Sequence, residues 1–569
     1  MEWTGTRPAE FRASERAKST RWGWLLAWLP TVSLATALTC IAARILVYPL
    51  QHDEQFYLPA SILFRFQDLY PGIGFSHLPN LPILLHGVFA LAPHGPYLLV
   101  GRIVIIAAWF ATIAALILAG RRYAKSGLLT ALMVALLVCN PGLTDATGMA
   151  VTNNFIATPF ALFGLLALLE ALERPGGSAR QAALAGFLLA IAMGFKANYV
   201  VLALPVISAV LLLPRSAPLH RRLRSTALPL AVGALVGAAP TLLFLAADPV
   251  GLLAHVFHFH RGPQIAYWHA HGDPFDPKIL SMTAKMALAA RLWLGGTNLM
   301  LVLALAAAST LAWPRRRRDA TPADGAALML LGIVGVTALA SFLPTPAFPQ
   351  YYTAPIPFAV LLLALLHGRL DAPSRDAARP WLIAALAVAV VLGAPALLST
   401  LPRAASISAW AGVRVHADGR RIAQLVRANG RGTMVVTLSP VHVLEGGLTI
   451  DPSLALGPFV YRAADWIPAE DRRHYRFLAS PTTIEARLEQ QAPAAVLVGA
   501  EGALDAPLLR YALRHGFEMH SVDLPGAGFE APLLLTRPRS APSPERSLAA
   551  SPGFAGLPGP QSPGPHRPR

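Results

Sequence analysis

Beyond residue 21 the chain is a succession of apolar runs joined by short polar links. The runs are continuous rather than alternating in single steps. They fall near 22–50, 97–120, 127–141, 152–172, 180–195, 198–213, 226–247, 292–313, 326–343, 351–367 and 380–401. A helix needs about 20 apolar residues to cross a bilayer. Only helices and closed barrels satisfy their backbone there, and a barrel strand would alternate. The pattern therefore predicts an α-helical polytopic membrane protein of about eleven spans. A further run, 83–92, is too short to cross and reads as a juxtamembrane or re-entrant piece packed on protein.

After residue 401 the pattern changes. Residues 433–438 and 495–498 read as strands, and 482–491 and 508–515 as helices. A small α/β domain is expected over 402–537. Residues 538–569, rich in Pro, Ser, Gly and Arg, are expected to be disordered. Residues 1–21 form a basic, polar tail, and no internal repeat is visible.

Composition agrees. The chain is 54% hydrophobic and only 14% charged, against roughly 25% charged in soluble domains. The net charge of +17 does not imply a nucleic-acid partner. The basic side chains sit in short links: Arg121, Arg122 and Lys125; Arg174 and Arg180; Arg215, Arg221, Arg222 and Arg224; 315–318; His367 and Arg369. With the N-terminus inside, every cluster falls on the cytoplasmic side, the positive-inside pattern. Counting 83–92 as a span would turn all of them outward. The opposite links are then extracytoplasmic: 51–96, 142–151, 196–198, 248–290, 344–350 and everything after 402. The Ala, Arg and Pro bias suggests a GC-rich bacterial genome, hence a bacterial inner membrane. The two cysteines, Cys40 and Cys139, lie in apolar runs and make neither a disulfide framework nor a zinc spacing.

The unusual residues lie on that outer side. Asp53 and Glu54 follow the first apolar run directly, and a carboxylate near hydrocarbon needs water or a partner. Burial beside a like charge makes such a group a candidate base; the plain alternative is a solvated helix end. Arg44 and Arg102 lie near outer helix ends, placed to pair with Asp53 or with lipid headgroups. Lys196 ends an apolar run, suited either to hold a phosphate or to snorkel to the interface. The link 248–290 carries His255, His258, His260, Arg261, His269, His271 and Asp273. Arg261 and the histidines are candidate phosphate donors. His258 and His260 with an acid form a ligand set for a divalent metal ion if that piece is extended; the alternative is an interfacial belt of aromatic and His side chains. Tyr351 and Tyr352 are candidates to line a sugar cavity or to form such a belt.

His52, Asp53, Glu54, Gln55, Phe56 and Tyr57, followed by His77, Pro79 and Pro82, resemble the first external loop of GT-C glycosyltransferases. The likeness is to the protein O-mannosyltransferase and lipid A aminoarabinose transferase branch. The apolar run ending in Lys196 and the stretch Phe348, Pro349, Gln350, Tyr351, Tyr352 resemble later pieces of the family. The proline spacing departs slightly, and Asn153 and Asn154 stand where members often carry an acid. The resemblance covers roughly 22–400. It implies a GT-C-like bundle that moves a sugar from a polyprenyl-phosphate carrier to a glycan, lipid or protein acceptor, with inversion. Asp53 would be the base, and Glu54 a second base or a ligand. Lys196, Arg261, His258 and His260 would face the phosphate. His77, Tyr57, Asn154, Tyr351 and Tyr352 would line the cavity. Two other readings stay open: a polyprenyl-lipid transporter or flippase, and a non-catalytic lipid-binding relative.

Overall fold

The computed structural model describes residues 31–174, 178–213, 217–272, 277–312, 322–524 and 532–538. The N-terminal tail, the start of the first span, Arg215, Asp273, Arg315 to Arg318 and nearly all of the expected disordered tail lie outside them.

The first described helix, α1 (Thr31–Val47), ends six residues before Asp53, the first of the acid pair. After it come α2 (Glu54–Ile62), α3 (Asn80–Phe89) and α4 (Tyr97–Ala119). Among the described residues four helices are long and apolar enough to cross a membrane: Tyr97–Ala124, Asn153–Glu173, Pro349–Gly368 and Ala372–Ala404. Two bent pairs raise the number to six. Leu219–Gly237 and Ala239–Ala247 meet at 61°, where Pro240 removes a backbone donor. Met282–Trp293 and Gly296–Ala312 meet at 82°, and Gly296 takes the positive φ of 55° that a turn this sharp needs. The other expected spans appear as shorter apolar helices, among them Gly127–Val138, Ala179–Phe195 and Ala197–Leu212. The run at 83–92 lies largely within the ten-residue α3.

The described part of the link 248–290 is largely helical. It folds into short helical turns, Pro249–Leu253, Ala254–His258, Phe259–Arg261 and Pro263–Ala270, then Met282–Trp293.

From Ala411 onward the chain builds an α/β unit. Its strands are β1 (Met434–Thr437), β2 (Thr449–Ile450), β3 (Ala495–Val498), β4 (Glu518–Ser521) and β5 (Leu533–Thr536), in the order β2-β1-β3-β5-β4. β1 is parallel to β2 and β3, while β5 is antiparallel to β3 and β4. Successive strand residues serve opposite faces. Val436, Val496 and Leu535 pack with Tyr461 and Tyr511, whereas Val435, Leu497 and Leu534 pack with Ile422 and Val426. Both strands and both helices expected after 401 appear, with helices at Ile484–Gln490 and Ala506–Arg514.

This unit sits on the first external segment. The amide of Val441 donates to Gln55 Oε1 at 3.0 Å, and the Leu98 amide donates to Glu445 Oε1 at 2.7 Å. Arg476 donates from its backbone to Pro71 O at 2.6 Å and from its side chain to Asp68 at 2.6 Å.

Candidate functional site

The two adjacent acids face different surroundings. Glu54 begins α2 and is fully buried. Arg102, also fully buried, clamps it with Nε at 2.7 Å and Nη2 at 2.6 Å. The amides of Val151 (2.7 Å) and Gln51 (2.8 Å) donate to the same carboxylate. The rest of the guanidinium donates to the carbonyls of Ile45, Met149 and Pro49. With four donors on its two oxygens, Glu54 has no room for an acceptor proton. The expectation of Glu54 as a second base or ligand is corrected: it ties α1, α2 and α4 together. Arg102 serves Glu54 rather than Asp53, and Arg44 donates to the carbonyls of Thr144 and Ala396.

Asp53 precedes α2, where an aspartate usually caps the helix with its side chain. It makes no such bond. The residue is neither fully buried nor exposed. Burial pushes its pKa above the usual aspartate range; the charges of His52, Arg462 and Lys196 pull the other way, and Glu54 adds to the rise.

Lys196 lies just past the helix Ala179–Phe195, with extended φ and ψ of −139° and 110°. Close approach fixes that helix end against α3. Asn80 donates to Ile191 O at 3.2 Å, and a Cβ on Gly194 would lie 2.2 Å from Asn80 Nδ2. The buried ammonium donates to Asn154 Oδ1 at 2.8 Å and lies 5.7 Å from the Tyr351 ring centre. Burial brings its pKa down to about 8 against the pull of Asp53.

Tyr57 is buried beside Asp53 and bonded to Asn153. His77 packs edge-on against Phe56 (5.1 Å) and His260 (4.9 Å). Its Nδ1 is buried without a partner, and desolvation holds the ring well below the usual histidine range, hence neutral. Asp53, Lys196, Asn154, Tyr57, His77 and Tyr351 thus lie within contact or electrostatic reach of one another.

Other expected site residues point elsewhere. His258 meets Asp471 at 3.2 Å. His260 uses both ring nitrogens, on Ser76 O (2.7 Å) and Gln264, so it braces His77 and has no nitrogen left for phosphate. The two imidazoles lie on helical turns with separate partners, and among the described residues no three His, Cys, Asp or Glu side chains gather as a metal would need. Arg261 lies exposed over Phe257 at 4.8 Å. Tyr352 is buried against Trp293 and Phe342 instead of joining that group with Tyr351.

Sequence reasoning missed two residues of the α/β unit. Arg462 is only 8% exposed and is cradled by Trp268 (4.9 Å), Phe459 (5.1 Å) and Tyr267 (5.3 Å). Its charge reaches Asp53. Glu501 pairs with His52 at 3.2 Å, and the His52 ring packs on Phe459 at 4.7 Å. The only signal was local: Arg462 closes an aromatic stretch after Gly457, whose φ is 61°.

A separate apolar groove of about 810 Å³ lies between α4 and the helices Asn153–Glu173 and Ala179–Phe195. Leu84 and Ile156 line it, as do Arg121, Arg122 and Glu170. It is not the polar site.

No protein-family model matches the chain, and no curated protein matches it. Solved structures do. The crystal structure of ArnT from Cupriavidus metallidurans bound to undecaprenyl phosphate matches with a TM-score of 0.55 at 14% identity, over 90% of this chain and 98% of that one. The apo state of the same protein matches with a TM-score of 0.55 at 14% identity, over 92% and 99%. The chain thus shares its fold with ArnT over most of its length.

Proposed function

We propose that the chain is an inverting GT-C glycosyltransferase that moves a sugar from a polyprenyl-phosphate carrier to an acceptor hydroxyl. The reaction takes place on the periplasmic face of a bacterial plasma membrane. The observation that carries this reading is the uncapped Asp53 carboxylate within electrostatic reach of the Lys196 ammonium. In a single in-line step the acceptor oxygen bonds to the anomeric carbon as that carbon's bond to the phosphate oxygen breaks. The acceptor proton goes to Asp53, and the electron pair leaves on polyprenyl phosphate. The leaving group is already an anion, so it calls for cations rather than a general acid. Lys196 supplies one, oriented by Asn154. Tyr57, Tyr351 and the neutral His77 line the space for the sugar.

The lipid half of the donor explains why the site belongs in a bilayer. The apolar groove is long enough for an isoprenoid chain: Val104 to Arg121 on one helix spans about 26 Å. The ionisable groups gather at one end of the bundle rather than at its middle, which favours an enzyme over a transporter. Arg121, Arg122, Arg369 and their neighbours at the other ends of the helices support a cytoplasmic N-terminus. The AspGlu pair therefore divides its work, Asp53 for chemistry and Glu54 for structure. The test is turnover of a labelled polyprenyl-phosphate sugar by purified protein and membrane extract, lost in Asp53→Asn. No turnover with any polyprenyl-linked donor would refute the reading.

A further inference from the structure

We propose that Arg462 of the α/β unit is a second ligand of the donor phosphate, so that the active centre is completed only by that unit. The inference rests on the reading above and extends it to a residue outside the bundle.

Three observations carry it. First, Arg462 is only 8% exposed and its side chain makes no hydrogen bond or ion pair among the described residues; the charges of Glu501 and Asp53 reach it only at longer range. Its three rings hold it in place by weak cation–π contacts but satisfy none of its five donors. A mostly buried guanidinium with its donors uncommitted is placed to take a further anion.

Second, the fold aims it. In open α/β sheets, ligands bind beyond the carboxyl ends of parallel strands, where the strand order reverses. Here β1 lies between β2 and β3. The segment after β1 receives Gln55, and the loop after β3 brings Glu501 to His52. Asp505 builds that loop by accepting from the amides of Gly499 (2.9 Å) and Glu501 (2.8 Å). The edge that would bind a ligand in a free-standing sheet is therefore applied to the Asp53 segment. The ring of Phe459 joins the Arg462 cradle to His52 and to Phe56 of α2.

Third, the charges balance. A sugar phosphodiester carries one negative charge, and the polyprenyl phosphate it releases approaches two. Lys196 matches the first. The second develops only as the bond breaks, and a fixed guanidinium beside it stabilises that change. A guanidinium also offers a phosphate two parallel bonds, which an ammonium does not.

The test measures binding of polyprenyl phosphate, and of uncharged polyprenol, to the full-length purified protein. Arg462→Gln should weaken polyprenyl phosphate binding about tenfold or more and leave polyprenol binding unchanged. It should also lower kcat more than it raises KM. Arg476→Ala, which loosens the same unit at its Asp68 contact, should leave the preference for phosphate intact. If Arg462→Gln unfolds, Arg462→Lys serves: the phosphorus resonance of the bound lipid should move from its wild-type position, and an unmoved resonance overturns the proposal. Wild-type affinity in Arg462→Gln, with affinity lost in Lys196→Gln, overturns the role of Arg462 and leaves the transferase reading standing. A wild-type protein that does not prefer the phosphate to the alcohol overturns both.

Discussion

Asp53 and Glu54 are neighbours in the chain and differ in everything else. Glu54 spends its charge on Arg102 inside a fully buried, bidentate pair. Removing one partner from such a pair leaves an unpaired buried charge and costs about 3–5 kcal/mol. Glu54→Ala should therefore lower the thermal unfolding temperature sharply in detergent, whereas Asp53→Asn should leave it near wild type. The pH dependence of kcat/KM follows from the two titrating groups of the site. Asp53 acts when deprotonated, and burial raises its pKa, so activity should climb with pH above the ordinary aspartate range. Lys196 acts when protonated, and its pKa lies at about 8, so activity should fall as pH rises through that value. Lys196→Arg, which stays charged, should remove the falling limb while lowering the rate. His258 is half exposed and paired with Asp471. His258→Ala should change stability by less than about 1 kcal/mol and leave transfer intact; a large loss of transfer would restore it to the site.

At the scale of elements, the sequence made Asp53, His77 and Lys196 legible because polar side chains are rare beside apolar runs. It could not separate Asp53 from Glu54, since a helix start turns consecutive residues in different directions and only packing decides which one meets Arg102. The metal expectation for His258 and His260 depended on an extended chain. The segment is helical, and each ring found its own partner. The bend at Gly296 was hidden because the apolar run continues through it. Close packing of α3 on the helix that ends at Lys196 depends on Gly194. Gly194→Ala should force Asn80 aside at a cost of about 1–3 kcal/mol. It should also displace Lys196, read as weaker donor binding together with a lower unfolding temperature.

At the scale of the whole molecule, the bundle and the α/β unit share a site. The apolar pattern revealed the bundle because bilayer thickness imposes a length on every crossing helix. Nothing comparable marks Arg462, which lies in a stretch of ordinary soluble composition and gains its meaning only from docking. The first external segment lies between the two parts, anchored below by Glu54 and Arg102 and covered above by Val441, Glu501 and Arg462. That arrangement gathers the charges of His52, Lys196 and Arg462 around one carboxylate. The most direct measurement is single-turnover transfer from a labelled polyprenyl-phosphate sugar by wild type and Asp53→Asn at matched folded concentration. The account predicts at least a hundredfold loss in the variant, about 2.7 kcal/mol in the barrier, with donor binding retained. Wild-type turnover in a folded Asp53→Asn protein would contradict it.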